Sequence, residues 1–238
     1  METKRLVTHV LTNWREQGSD DQIAELLELL SMANHKMGLY EEGMGQAKEA
    51  LEIFERLGDT KKRADCLTGI ANLLVADKKL DAAEEAALRA LNISSGEGLE
   101  WRLCSSHRAL GDTFRSKGET EKAIHHFETA IGIASPFGWK YPLFWNHLDL
   151  TDVLRTQGRF EDAQARLEHA KSNADNAYQL AYVIKMQSSI FFRQRQLEEA
   201  KSELLRAIDA FEKLVATVEV EKCRWILTNL VNVEILSG

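Results

Sequence analysis

Five times along this 238-residue chain a turn leads into a small residue that is followed, seven positions later, by an alanine. The leading residues are Gly43, Ala83, Ala123, Ala163 and Ala200, and the trailing ones are Ala50, Ala90, Ala130, Ala170 and Ala207. Successive leading residues are separated by 40, 40, 40 and 37 positions. Seven residues span about two helical turns, so both members of a pair lie on one helix face. Small side chains there let a second helix approach closely, and a bulkier residue would overpack the contact at a cost of about 1–3 kcal/mol. A fixed period of this length is the mark of a stacked array whose units bury their apolar faces only against their neighbours.

Each leading residue closes a short turn-and-acid block, as in Lys79-Leu80-Asp81-Ala82-Ala83 and Glu119-Thr120-Glu121-Lys122-Ala123. Upstream of each block lies another helical stretch. In the third repeat it carries His107, Leu110, Gly111 and Phe114, followed by Ala123, Phe127 and Ala130. This pattern resembles the tetratricopeptide repeat, which pairs Leu and Gly on its first helix and Ala, Phe and Ala on its second. The resemblance covers nearly the whole chain. The Leu-Gly pair becomes Leu30-Ser31, Ile70-Ala71, Leu150-Thr151 and Gln187-Ser188 in the other repeats, so the second slot stays small and Gln187 departs furthest. The period is longer than the usual ~34 residues and resembles the long-helix repeats of kinesin light chains. Phrases such as Lys122-Ala123-Ile124-His125-His126-Phe127 and Ile133-Ala134-Ser135-Pro136-Phe137 are also similar to the arrays at the C-terminal ends of fungal NLR-like receptors.

The expected fold is all-α: a right-handed superhelical α-solenoid of antiparallel helix pairs, about twelve helices in one domain spanning 1–238. An N-terminal capping helix is expected over 1–18 and a C-terminal one over 217–236. Repeats are expected at about 20–57, 60–94, 98–134, 140–173 and 176–214. Only two prolines occur, Pro136 and Pro142, which suits long helices because proline costs about 3 kcal/mol inside one. Ser135 to Pro142 is the longest interruption.

Composition narrows the function. A formal net charge of −7 argues against general nucleic-acid binding, which rests on phosphate neutralisation by Lys and Arg. No apolar run approaches the ~20 residues needed to cross a bilayer, and the N-terminus has no signal-peptide pattern. Cys66, Cys104 and Cys223 are few, odd in number and far apart, as expected of reduced core thiols in a cytoplasmic protein. Gly111 to Gly118 has the wrong spacing and context for a phosphate loop. His125 and His126 are adjacent, about 100° apart on a helix, and cannot both face one metal. His107 and His147 fall in one repeat slot, where the family has Trp, and are expected to pack between helices. No catalytic residue, metal or cofactor is expected, and the chain is read as a non-enzyme.

What the resemblance implies is a groove lined by the first helix of each pair. Carried onto this chain, the family's groove positions give Arg108, Asp112 and Arg115 in the third repeat, and Trp145, Asp152 and Arg155 in the fourth. The fifth gives Tyr182, Lys185, Phe192 and Arg193. Arginine and aromatics are favoured where partners bind tightly. The expected function is a protein-interaction scaffold that takes a peptide or helical segment of acidic character, as the sensor or regulatory part of a larger receptor. The arginines could instead pair with Asp112 and Asp152. Chaperone-binding members hold a terminal carboxylate with Lys and Asn; Glu28 and Met32 occupy those slots here, so that clamp is not expected. Two rival functions are a homodimer through the terminal helices, with Trp225, Ile226, Leu230, Val233 and Ile235 as its apolar face, and a small-molecule sensor walled by Trp145, His147 and Tyr182.

Overall fold

The computed structural model describes residues 12, 15, 18–96 and 98–237, leaving out the side chains of 230–237. The expected helix over 1–18 thus lies largely outside the described residues, as do the side chains of Leu230, Val233 and Ile235. Among the described residues there are eleven α-helices and no strand. They are α1 (Asp20–Lys36), α2 (Tyr40–Leu57), α3 (Thr60–Ala76), α4 (Leu80–Ser94), α5 (Glu100–Lys117), α6 (Thr120–Ala134), α7 (Lys140–Thr156), α8 (Phe160–Ser172), α9 (Ala177–Arg193), α10 (Leu197–Lys213) and α11 (Thr217–Ser237). A 3-10 turn at Ser135–Phe137 follows α6. Pro142 sits in the first turn of α7, where its missing N–H costs nothing.

Local chemistry sets the boundaries. Ser19 and Gln22 form a reciprocal capping box at the start of α1. Asp59 accepts from the Lys62 N–H at 2.9 Å and starts α3, and Asn176 accepts from the Gln179 N–H at 2.9 Å and starts α9. The turn inside each helix pair needs one left-handed residue. Gly38, Gly118 and Gly158 supply it at φ 76, 78 and 76, whereas Lys78 and Arg195 supply it at φ 63 with a side chain attached.

The chain forms two compact units, Met1–His126 and Phe127–Gly238. In the first, α1 packs on α2, α2 on α3, α3 on α4, and α4 on α5. Leu27, Phe54, Leu67, Leu73 and Leu110 are fully enclosed. Ser94 and Ser106, both buried, share a hydrogen bond of 3.2 Å between α4 and α5, so neither hydroxyl is left unsatisfied. In the second unit α7 packs on α8, α8 on α9, α9 on α10, and α10 on α11. Its core is built on Phe127, Phe144, Leu150, Leu167, Ile190, Leu204 and Phe211.

The periodic small residues do what their spacing predicts. Ala50, Ala83, Ala90, Ala123, Ala130, Ala163, Ala170, Ala200 and Ala207 are all completely buried. The deviant fifth repeat keeps its packing by hydrogen bonding: half-buried Gln187 accepts from Gln164 at 3.0 Å, and the buried Ser188 hydroxyl donates to the Ala200 carbonyl at 2.6 Å. All three cysteines are buried free thiols. Burial pushes Cys66 up to about 12 and Cys104 up to about 11, so they pack as small apolar residues. Among the described residues, no helix is long and apolar enough to cross a membrane.

Candidate functional site

Three of the expected groove residues belong to the first unit, and they lie together on α5. Arg115 Nη2 approaches Asp112 Oδ1 at 2.7 Å, and Arg108 Nη2 approaches Asp112 Oδ2 at 3.9 Å. Neighbouring helices of this unit are tied in the same way. Lys62 on α3 bridges Glu25 and Glu28 on α1 at 3.2 and 3.1 Å, and Arg102 on α5 reaches Asp65 on α3 at 2.9 Å. Burial raises the Glu28 and Asp65 carboxyls, against the pull of Lys62 and Arg102. Charge on these helices is thus largely matched within the unit.

The other seven candidates lie in the second unit. Asp152 and Arg155, one turn apart on α7, form an ion pair. Trp145 on α7 meets Tyr182 on α9 edge to face, ring centroids 5.4 Å apart. Tyr178 lies 5.1 Å from Tyr182, and Tyr141 stands 57% exposed beside Trp145. The Tyr182 hydroxyl donates to Glu219 Oε1 on α11 at 2.8 Å. Burial, and then the bonds to Tyr178 and Glu219, push the phenol well above its ordinary range. It therefore stays protonated and tethers α9 to α11. Phe192 and Arg193 are exposed at the C-terminal end of α9.

Lys185, one turn beyond Tyr182 on α9, is different. Its ammonium sits 5.3 Å from the centre of the Tyr182 ring, and it makes no hydrogen bond or ion pair among the described residues. Burial pushes its pKa down; Cys223 opposes that effect, Lys222 reinforces it, and Glu219 and Asp152 oppose it. A half-buried ammonium that has lost water without gaining a counter-ion is a net cost to the fold. Beside it lies an open hollow lined by Lys185, Glu221, Lys222, Trp225 and Ile226. Trp225 is 70% exposed there.

Sequence reasoning stopped at the fifth repeat and so missed Glu219 and Lys222. A signal for them was present, because they fall 37 positions after Tyr182 and Lys185, which is the last repeat spacing. The third wall residue expected of a small-molecule site does not join the other two. His147 is buried and stacks on His169 of α8, ring centroids 5.0 Å apart, while Trp145 and Tyr182 face each other. Two positions along a helix point about 200° apart, so Trp145 and His147 cannot share a wall.

Residues 7–96 and 109–136 match models of the tetratricopeptide repeat. No match is found among curated proteins. Among solved structures, a Rap protein complexed with Competence and Sporulation Factor aligns with a TM-score of 0.70 at 16% identity, over 95% of this chain and 68% of that one. Aspartyl phosphate phosphatase F from Bacillus subtilis aligns with a TM-score of 0.70 at 13% identity, over 95% of this chain and 64% of that one. A putative kinesin light chain from Podosopora anserina, built of nearly identical TPR-like repeats, aligns with a TM-score of 0.59 at 13% identity, over 82% of this chain and 98% of that one. Identities this low establish a shared fold. With the matching sequence models, the period of about 40 residues and the nine buried marker alanines, they show that the chain carries tetratricopeptide repeats.

Proposed function

We propose that the chain is a protein-interaction scaffold, and that its second unit binds a peptide or helical segment bearing an acidic side chain. One observation carries the choice of ligand. Arg155 on the same unit already holds a carboxylate, whereas the Lys185 ammonium is desolvated over the Tyr182 ring without a counter-ion. An incoming carboxylate would recover the charge pairing that the fold leaves unmade, and charge-assisted bonds are the stronger kind. Trp145, Tyr141, Phe192 and Trp225 offer apolar contact on the same helices, α7, α9 and α11. The role is binding rather than catalysis. The resemblance of fold to a Rap protein complexed with Competence and Sporulation Factor supports a regulatory setting within a larger system.

Selection of a random-peptide display library on the full chain tests this. Enriched peptides should carry Asp or Glu, and Lys185→Gln should weaken them by about tenfold, equivalent to ~1.4 kcal/mol, with Lys185→Arg recovering part of the loss. Enrichment of peptides without acidic residues, or equal affinity for the Lys185→Gln variant, would refute the proposal.

A second reading rests on Trp225. Its exposure, together with exposed Val218 on α11 and Val215 in the turn before it, suits self-association through this end of the chain's second unit. A chain that stays monomeric in light scattering across the concentration range excludes it.

A further inference from the structure

The first unit holds a pair of imidazoles that the peptide-binding reading does not use. His107 on α5 and His126 on α6 place their Nδ1 atoms 3.0 Å apart, with ring centroids 5.2 Å apart and planes tilted by 36°. Two nitrogens this close share one proton, so one neutral ring donates and the other accepts. Nitrogens at about 2.0–2.1 Å from one metal ion, in neighbouring coordination positions, stand roughly 2.9–3.4 Å apart. The observed separation falls within that span.

We propose that His107 and His126 form a two-nitrogen site for a late divalent transition-metal ion, of which zinc, copper and nickel are the imidazole-preferring kinds. The rings are held ready on two helices. The Phe114 ring stacks on His126 at 5.4 Å and 11°, which fixes the plane of that imidazole. On binding, the shared proton moves to the Nε2 of the ring that carried it, and none is released to solvent.

The corresponding pair in the second unit shows what such a site requires. His147 and His169 are stacked, 5.0 Å apart with planes 21° from parallel. Lone pairs lie in the ring planes, so stacked imidazoles do not aim them at a common point. Among the described residues, no group of three or more His, Cys, Asp or Glu side chains is placed to hold a metal. The remaining coordination positions at His107 and His126 therefore belong to water. Half-exposed His126 gives the ion its way in, and the bound ion would staple α5 to the first half of α6.

Calorimetric titration of the full chain with zinc chloride at pH 7.5, in a non-coordinating buffer, tests this directly. One saturable site per chain is expected. It should weaken by more than the roughly tenfold that loss of a supporting residue costs a metal site in both His107→Gln and His126→Gln, and persist in His125→Gln. The Nδ1 nitrogen resonances of the two rings should shift together on zinc addition. If His107→Gln fails to fold by circular dichroism, His126→Gln and the resonance shifts decide alone. Absence of saturable binding, or equal zinc affinity in His126→Gln, would overturn the site.

Discussion

Replacing His147 by phenylalanine should flatten the acid limb of the stability curve. His147 is only 6% exposed, its Nδ1 makes no hydrogen bond, and it stacks on His169. Burial first, then His169 and Arg166, push its pKa from 6.5 down to about 4. The folded chain therefore resists a proton that the unfolded chain accepts. Above pH 6.5 both states are neutral at this residue and the effect is nil. As pH falls below 6.5, the unfolded state gains the proton first, and stability declines by about 1.4 kcal/mol per pH unit. The decline levels off near the folded pKa at roughly 3 kcal/mol, a large fraction of the stability of an ordinary domain. Phenylalanine keeps the ring and the stack but cannot titrate. Urea denaturation followed by circular dichroism, at half-unit steps from pH 7.5 to 4, should show the parent protein losing stability relative to the variant as pH falls. Acidic groups common to both cancel in the difference. Parallel curves across this range would refute the argument and show that His147 takes up its proton as readily folded as unfolded.

Three further outcomes follow from the packing. Lys78→Gly and Arg195→Gly should each stabilise the chain by about 1 kcal/mol, because both residues hold the left-handed conformation at φ 63 with a Cβ; an unchanged denaturation midpoint counts against that account. Ala163→Leu should destabilise by about 1–3 kcal/mol, since the marker alanine is completely enclosed between helices; a neutral result in thermal melts would mean the contact is looser than its burial implies. Phe211→Ala should cost about 3–5 kcal/mol, because the ring is fully buried and contacts Tyr178 and Tyr182 edge to face at 5.8 and 5.3 Å; it should also disturb the Tyr182–Glu219 tether, read as weaker binding of any peptide that depends on Lys185.

Much of the helical framework could be read from residues alone. The markers at 43, 83, 123, 163 and 200 set the period. Such features are local: a helix face is determined by neighbours three, four and seven positions away. The slots for groove residues came from the family resemblance, each lying upstream of its marker at a constant offset.

What those residues do was decided by tertiary structure. Arg115 and Arg155 look alike in sequence to Lys185, each a cation in a groove slot. In the fold both arginines meet a carboxylate one turn away, while Lys185 comes to rest over the Tyr182 ring without one. The pairings of Lys62 with Glu28, Tyr182 with Glu219 and His107 with His126 join residues 34, 37 and 19 positions apart. No helical periodicity specifies them. They arise only when helix packing brings side chains within about 3 Å, where hydrogen-bond geometry is demanding. Burial then sets the proton affinity of Lys185 and His147, which depends on the water each has lost. Sequence alone determined which faces meet, through residue size and period. Packing determined which of these cations met a carboxylate and which did not among the described residues.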